Sequence, residues 1–180
     1  DVLAVQLPNR ENRINDPLVN DFDTLVKQIG ESLYTFFDLP LIIWGHSFGG
    51  NVAFEVIRFL EANYNLSPQH FVVTGTIAPN LISVWKLRES FRRVEVKDNS
   101  FELFLSASRY AENLDFLRAI LPKMRMDMPL LTSYHYNSTE DYKLPCGITA
   151  FCANQDDMVY PNEIQGWKSF TDKTFEYITV

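Results

Sequence analysis

The chain is poor in the residues that anchor several large classes of protein: two cysteines, three histidines and seven glycines in 180 residues. Two cysteines cannot build a disulfide scaffold or a thiolate metal cluster. Cys146 and Cys152 both lie in one apolar, strand-like stretch, an even number of residues apart, so they read as buried thiols on one face. That cysteine usage suits a reducing compartment, and a cytoplasmic location is expected. Basic residues are also scarce, 16 against 23 acidic ones, for a formal net charge of -7. A surface of that sign excludes non-specific nucleic-acid binding, which needs phosphate neutralisation. Apolar runs are short and interrupted, so neither a membrane span nor a secretory leader is read. There is no internal repeat, low-complexity segment, phosphate-binding loop, dinucleotide fingerprint or metal-ligand spacing.

What remains is an ordinary globular composition, 46% hydrophobic, sufficient for one core and one domain. Val2 to Leu7 reads as a strand stopped by Pro8. Phe22, Leu25, Val26, Ile29, Leu33 and Phe36 recur at helical spacing. Leu41 to Trp44 reads as a buried strand, and a second helix from about Gly49 carries Val52, Phe54, Val56, Ile57 and Leu60. Phe71 to Gly75 is a third strand, Gly147 to Cys152 a fourth and Phe175 to Val180 a last one, with a helix near Ile164 to Phe170. Strands alternating with helices imply an α/β fold with a mostly parallel sheet and helices on both faces. Between about residues 81 and 136 the alternation stops, and short helical stretches rich in Phe and Leu suggest an inserted lid. Phe91, Phe101, Phe104, Phe116 and Leu117 are candidates to line an acyl-chain pocket there, although aromatic residues at helical spacing equally make plain core. From Lys86 to Arg125 nine basic residues face six acidic ones, so this segment carries +3 while the remainder carries -10.

The chemistry is concentrated in Gly45-His46-Ser47-Phe48-Gly49-Gly50. A G-x-S-x-G pentapeptide between a strand and a helix places its serine on a sharp turn above the sheet edge, with small residues on either side so that backbones can pass. Ser47 is therefore the candidate nucleophile. A serine hydroxyl needs a histidine base, and the imidazole needs a carboxylate to fix its tautomer. In strand-turn-helix hydrolases the acid follows a later strand, which points to Asp156 or Asp157, just past Gly147 to Cys152. The developing oxyanion needs preorganised donors, and the backbone N–H of Phe48 supplies one. No histidine sits where a base belongs. His46 precedes the nucleophile and is read as a packing or hydrogen-bonding residue, His70 as lying at the amino edge of the sheet, and His135 as reaching Ser47 only through a loop reversal.

Val5-Gln6-Leu7-Pro8-Asn9-Arg10-Glu11-Asn12-Arg13, with Pro17 following, resembles the V-Q-L-P-G-R-E-x-R…P signature of type II thioesterases, with Asn9 in place of the usual Gly. The serine turn followed by Val52-Ala53-Phe54-Glu55 is similar to that family's G-H-S-M-G-A…A-F-E, with Phe48 and Gly50 as departures. Gly75 and Ala78-Pro79 resemble its S-G-x-x-A-P, Arg125-Met126-Asp127 its R-A-D, and Ala153 to Val159 its G-x-x-D-P-x-V, which aligns Asp156 with the catalytic acid. Trp167 fits the helix after that loop.

The resemblance implies an α/β-hydrolase fold with a helical lid over one domain spanning residues 1–180. It implies hydrolysis of acyl groups from the phosphopantetheine arm of a carrier protein through an acyl-Ser47 intermediate, in polyketide, nonribosomal-peptide or fatty-acid synthesis. It also implies no resident cofactor or metal, a monomer, and an acidic carrier docking on the basic lid segment. An oxyanion loop would precede residue 1 and the histidine base would lie beyond Val180, so the 180 residues are expected to be a fragment lacking both ends. A general carboxylesterase on the same scaffold and a non-catalytic acyl- or partner-binding module are the alternatives.

Overall fold

The computed structural model describes residues 1–83, 141–156 and 158–180, with 115, 122, 126, 127, 129–131 and 133–137 between them. Its centre is a four-stranded, wholly parallel sheet in the order β1 (Ile42–His46), β2 (His70–Thr74), β3 (Gly147–Cys152), β4 (Phe175–Thr179). Four of the five strands read from the sequence are these, each within a few residues of its expected bounds. Helix α1 (Phe22–Leu33) starts where the Asp21 carboxylate accepts from Thr24 N–H at 2.7 Å, satisfying one of the orphan donors of a helix start. Helix α2 (Phe48–Tyr64) follows β1 after a single intervening residue and ends on Asn65, in the left-handed region at φ 55°, where Asn is the usual substitute for Gly. The short α3 (Pro161–Gln165) runs into a 3-10 turn, Gly166–Phe170, ahead of β4.

The register puts Ile43, Phe71, Val73, Ile148, Ala150 and Cys152 on one side of the sheet. Helices cover this side. Trp167 and Phe54 are fully buried, with ring centroids 5.5 Å apart, and Phe71 meets Trp167 at the same separation. Phe170 closes on Phe54 at 5.1 Å. Helix α1 packs on α2 rather than on the sheet; a Cβ on Gly30 would lie 2.4 Å from the Phe59 ring, so the two helices approach as closely as a glycine allows. The expectation of helices on both faces is met on this side only among the described residues. The other side presents Ile42 (65% exposed), Trp44 (67%) and Ile178 (36%), with Val72 and Phe151 half-buried.

One expected strand is absent. Val2 to Leu7 forms no strand, with Val2, Leu3 and Val5 exposed. Its alternation is strand-like, yet a strand exists only where its N–H and C=O groups meet a neighbour's, and no described residue lies alongside to pair with it. Cys146 and Cys152 are buried free thiols, as read from the sequence; burial pushes the Cys146 thiol up to about 11. Most of the expected lid, including the candidate pocket residues Phe91, Phe101, Phe104, Phe116 and Leu117, lies outside the described residues. Where residues 126–127 and 129–131 are described, they are helical.

Candidate active site

With β1 ending at His46 and α2 beginning at Phe48, Ser47 alone reverses the chain. It does so at φ 51°, ψ -124°, a region close to glycine-only whose occupation by another residue costs about 1–3 kcal/mol. The surroundings over-determine it. Ser47 N–H donates to Thr74 O at 2.9 Å, and Ser47 O accepts from Gly50 N–H at 3.0 Å and from the Thr76 hydroxyl at 2.9 Å. The backbone of the residue is thus fully engaged while its side chain stands exposed.

The glycines around the turn are not equivalent. A Cβ on Gly45 would lie 2.5 Å from both Gly49 O and Gly50 Cα, backbone atoms that cannot yield. On the far side the packed glycine is Gly50, whose Cβ would lie 2.3 Å from the Thr76 hydroxyl, whereas Gly49 has open space within 4 Å. The pentapeptide pattern points to Gly49; the contact that needs a glycine is one residue later. Phe48 is the first residue of α2, so its N–H has no intrahelical acceptor and lies at the positive end of the helix dipole. It is the donor that the sequence reading expects to meet the oxyanion.

The loop after β3 holds Asp156 by hydrogen bonds. Oδ1 accepts from Met158 N–H at 2.8 Å and Val159 N–H at 3.2 Å. Oδ2 is turned the other way, toward Gly75: a Cβ there would lie 3.7 Å from Oδ2 and 3.3 Å from His46 Cε1. Gly75 itself has φ 54°, which favours glycine. The carboxyl ends of β1, β2 and β3 therefore converge on one spot, with a carboxylate oxygen facing into it. Asp157, the second candidate, lies outside the described residues. The end of β4 reaches the same loop: Val180 N–H donates to Cys152 O at 2.9 Å and Asn154 N–H to Val180 O at 2.7 Å.

The histidines sit where the sequence reading put them. His46 Nδ1 meets the Thr74 hydroxyl at 2.8 Å, and that oxygen also accepts from Trp44 Nε1 at 3.3 Å. His70 opens β2 and bonds the Thr149 hydroxyl at 2.8 Å, at the amino edge of the sheet, roughly 13 Å along the strand from the serine end. His135 is exposed on the segment returning toward the sheet. Among the described residues no histidine hydrogen-bonds Ser47 or Asp156, and no group of His, Cys, Asp and Glu could hold a metal ion.

Two pieces of the resembled signature that are far apart in sequence meet in space. Arg10 Nη2 bridges Asp127 Oδ1 at 2.6 Å, and Arg10 is almost fully buried. Burial pushes the Asp127 carboxyl up, with Arg10 opposing that rise. Asn9 stands at φ 58°, so the position calls for a left-handed residue and Asn is the best substitute for Gly. Its side chain donates to Ile14 O at 3.1 Å and spans the loop. Arg125 lies outside the described residues. Sequence reasoning passed over the network on α2, where Tyr134 donates to Glu55 Oε1 at 2.7 Å, Tyr142 donates to Glu61, and Arg58 stacks over Tyr142 at 4.9 Å. The only signal was Glu55 itself, at the end of the resembled A-F-E.

The family profile for the Thioesterase domain matches residues 1–177. Among curated proteins, the chain is similar to the linear gramicidin dehydrogenase LgrE of Brevibacillus parabrevis, 29% identical over 97% of this chain and 67% of that protein. It is also similar to the medium-chain S-acyl fatty acid synthase thioesterase of Rattus norvegicus, 27% identical over 98% of this chain and 67% of that one. The chain thus spans about two thirds of the length of these relatives. Among solved structures it resembles the type II thioesterase BorB from the borrelidin biosynthetic cluster, with 30% identity, a TM-score of 0.72, and coverage of 100% of this chain and 70% of that one. The profile match runs through every strand and helix that builds the serine turn and the carboxylate loop, and on it this chain belongs to the Thioesterase domain family.

Proposed function

We propose that the chain is the catalytic domain of a serine thioesterase that releases acyl groups from the phosphopantetheine arm of carrier proteins, for editing or product release in polyketide, nonribosomal-peptide or fatty-acid synthesis. The observation that carries this reading is the strained Ser47 turn: an exposed hydroxyl on an over-determined backbone, directly followed by the free N–H of Phe48 at a helix start. In this reading Ser47 Oγ attacks the thioester carbonyl as its proton passes to a histidine base. The Phe48 N–H meets the oxyanion. The tetrahedral adduct collapses, the C–S bond breaks, and the base returns the proton to the leaving thiol. Water then attacks acyl-Ser47 by the same route, releasing the acid and restoring the hydroxyl.

Asp156 Oδ2 is proposed to orient the imidazole; its other oxygen is committed to two backbone donors, which leaves one lone-pair face for that task. The base is proposed to be a histidine from outside residues 1–180, as the family resemblance implies. No resident cofactor is required by this chemistry. We further infer one domain over residues 1–180 with the insertion at about 81–136, an acidic carrier docking on its basic segment, a monomer, and a cytoplasmic setting. No helix among the described residues is long and apolar enough to cross a membrane.

The test uses the natural-length protein and compares a carrier-bound acyl thioester, a small acyl thioester and the matching oxygen ester. Preference for the thioester, lost in Ser47→Ala, is expected. Equal turnover of ester and thioester moves the reading to a carboxylesterase. Failure of Ser47 to be labelled by a fluorophosphonate moves it to a binding module. Charge reversal at Arg92 and Arg93 is expected to weaken turnover of the carrier-bound substrate alone; equal loss on both thioesters removes the docking proposal.

A further inference from the structure

The Ser47 turn stores strain that bears on the first turn of α2, and that turn carries the oxyanion donor. On its inner side it is braced by Thr74 and Thr76. Its outer side is braced by residues from two other parts of the chain. Phe22, the first residue of α1, presents its ring edge-on to Phe48, with centroids 6.0 Å apart and planes at 79°. Behind it Tyr134 stacks on Phe22 at 4.4 Å and 24°. The Tyr134 hydroxyl turns back to α2 and donates to Glu55 Oε1 at 2.7 Å, while Glu55 Oε2 is held by Arg58 at 2.8 Å. Phe48 and Glu55 are seven residues apart, two turns along one face of the helix. Phe22 and Tyr134 are both nearly fully buried.

We propose that Tyr134 is a positioning residue for the nucleophile: through Phe22 and Glu55 it grips α2 at two points two turns apart and fixes where the Phe48 N–H and Ser47 Oγ point. Tyr134 lies on the segment returning from the 81–136 insertion, so the grip also ties the end of that insertion to the serine turn. This deepens the thioesterase reading and borrows from it only the choice of substrate. Displacing reacting groups by about 1 Å costs as much as a hundredfold in rate, so a partly released helix start should show in kcat rather than in KM.

The test compares Tyr134→Phe, Tyr134→Leu, Phe22→Leu and the Tyr134→Leu/Phe22→Leu double variant with the natural-length wild type. Three readouts are taken: kcat and KM on a medium-chain acyl-N-acetylcysteamine thioester, the rate of Ser47 labelling by a fluorophosphonate, and thermal melting to correct for folded fraction. Tyr134→Leu and Phe22→Leu are each expected to lower kcat and the labelling rate about tenfold, with KM within about twofold. The double variant should be no worse than either single one, as for groups acting as a unit. Tyr134→Phe keeps the ring and loses the bond to Glu55, and should recover to within about threefold of wild type. A kcat within twofold of wild type in Tyr134→Leu, a rise in KM at constant kcat, or additive losses would each overturn the proposal. If the Leu variants do not fold, Tyr134→Phe decides: a twofold to threefold loss in kcat at constant KM supports it, and wild-type kcat and labelling overturn it. Should the wild type label at Ser47 but leave thioesters intact, the labelling rates still judge the grip while the thioesterase reading falls. A wild type that neither labels nor turns over overturns both.

Discussion

At the serine turn, the geometry is enforced by lack of room: around Ser47, at φ 51°, Gly45 lies against the backbone of Gly49 and Gly50, and Gly50 against the Thr76 side chain. At the carboxylate loop, the geometry is enforced by hydrogen bonds: Asp156 is held by two N–H groups of its own loop and keeps one oxygen for the site. Packing constraints tolerate almost no change in residue type, because an added Cβ meets backbone that cannot move at Gly45 and the buried Thr76 side chain at Gly50. Hydrogen-bond constraints tolerate any side chain that presents an acceptor at the right place. The two halves of the site therefore respond differently to substitution, and function can be separated from scaffold at one of them only.

The largest effect that sharpens this contrast is chemical. Ser47→Ala should abolish turnover, a loss of about 10⁶ in kcat by analogy with other serine hydrolases, while Asp156→Asn should lower kcat by about 10⁴. Asn still offers an oxygen to Met158 and Val159, so the Asp156→Asn melting temperature should stay at the wild-type value; calorimetry beside steady-state kinetics checks both. A variant that loses activity and melts early would erase the distinction between the two loops.

Next in size are the glycines. Gly45→Ala should destabilise by about 3 kcal/mol, the upper range for forcing a carbon into packed structure. Gly49→Ala, at a helical position with open space around it, should stabilise by about 0.5–1 kcal/mol. Urea denaturation of the pair measures the contrast, and equal destabilisation by both would show that the pattern, not the packing, describes this turn.

Removing the loop's own hydrogen bonds is a smaller step. Asp156→Ala strips the acceptor from Met158 and Val159 N–H and should cost about 1 kcal/mol more than Asp156→Asn, read from the same denaturation curves.

The smallest effect concerns Glu55, whose carboxyl is pushed up from its ordinary 4.5 by burial, against the pull of Arg58 and Tyr134. A carboxyl raised by folding weighs against the fold when ionised. Its stabilising contribution is complete below 4.5 and is lost as pH rises through the raised folded value. Wild type should therefore gain in melting temperature relative to Glu55→Gln as pH is lowered from 7 to 5. A constant difference across that range would place the charge in a solvated setting.

Much of the architecture was legible in local pattern. The four paired strands, α1 and α2 follow from runs of apolar residues at strand or helix spacing, and Asn65 and Asp21 mark helix ends by their own chemistry. Ser47 was legible because a G-x-S-x-G run between a strand and a helix has few other uses. The acid was legible only to within Asp156 and its neighbour, since an Asp-Asp pair in a loop looks alike at both positions; that Asp156 is held by the N–H groups of Met158 and Val159 is a matter of loop geometry. Val2 to Leu7 misled because alternation describes a side-chain pattern, while a strand is defined by a partner. The departure at Asn9 is explained by a backbone angle that no composition reveals.

The sequence by itself determined most of the elements, the candidate serine turn and the family signature, because each is written in residues close together along the chain. Only the tertiary structure decided that Gly50 rather than Gly49 is the packed glycine, that Arg10 meets Asp127, that Asp156 keeps one oxygen free, and that Phe22 and Tyr134 brace the start of α2. These are contacts between segments separated by as many as 117 residues, and their energies depend on distances of a few tenths of an ångström, which the fold sets and spacing along a chain does not encode.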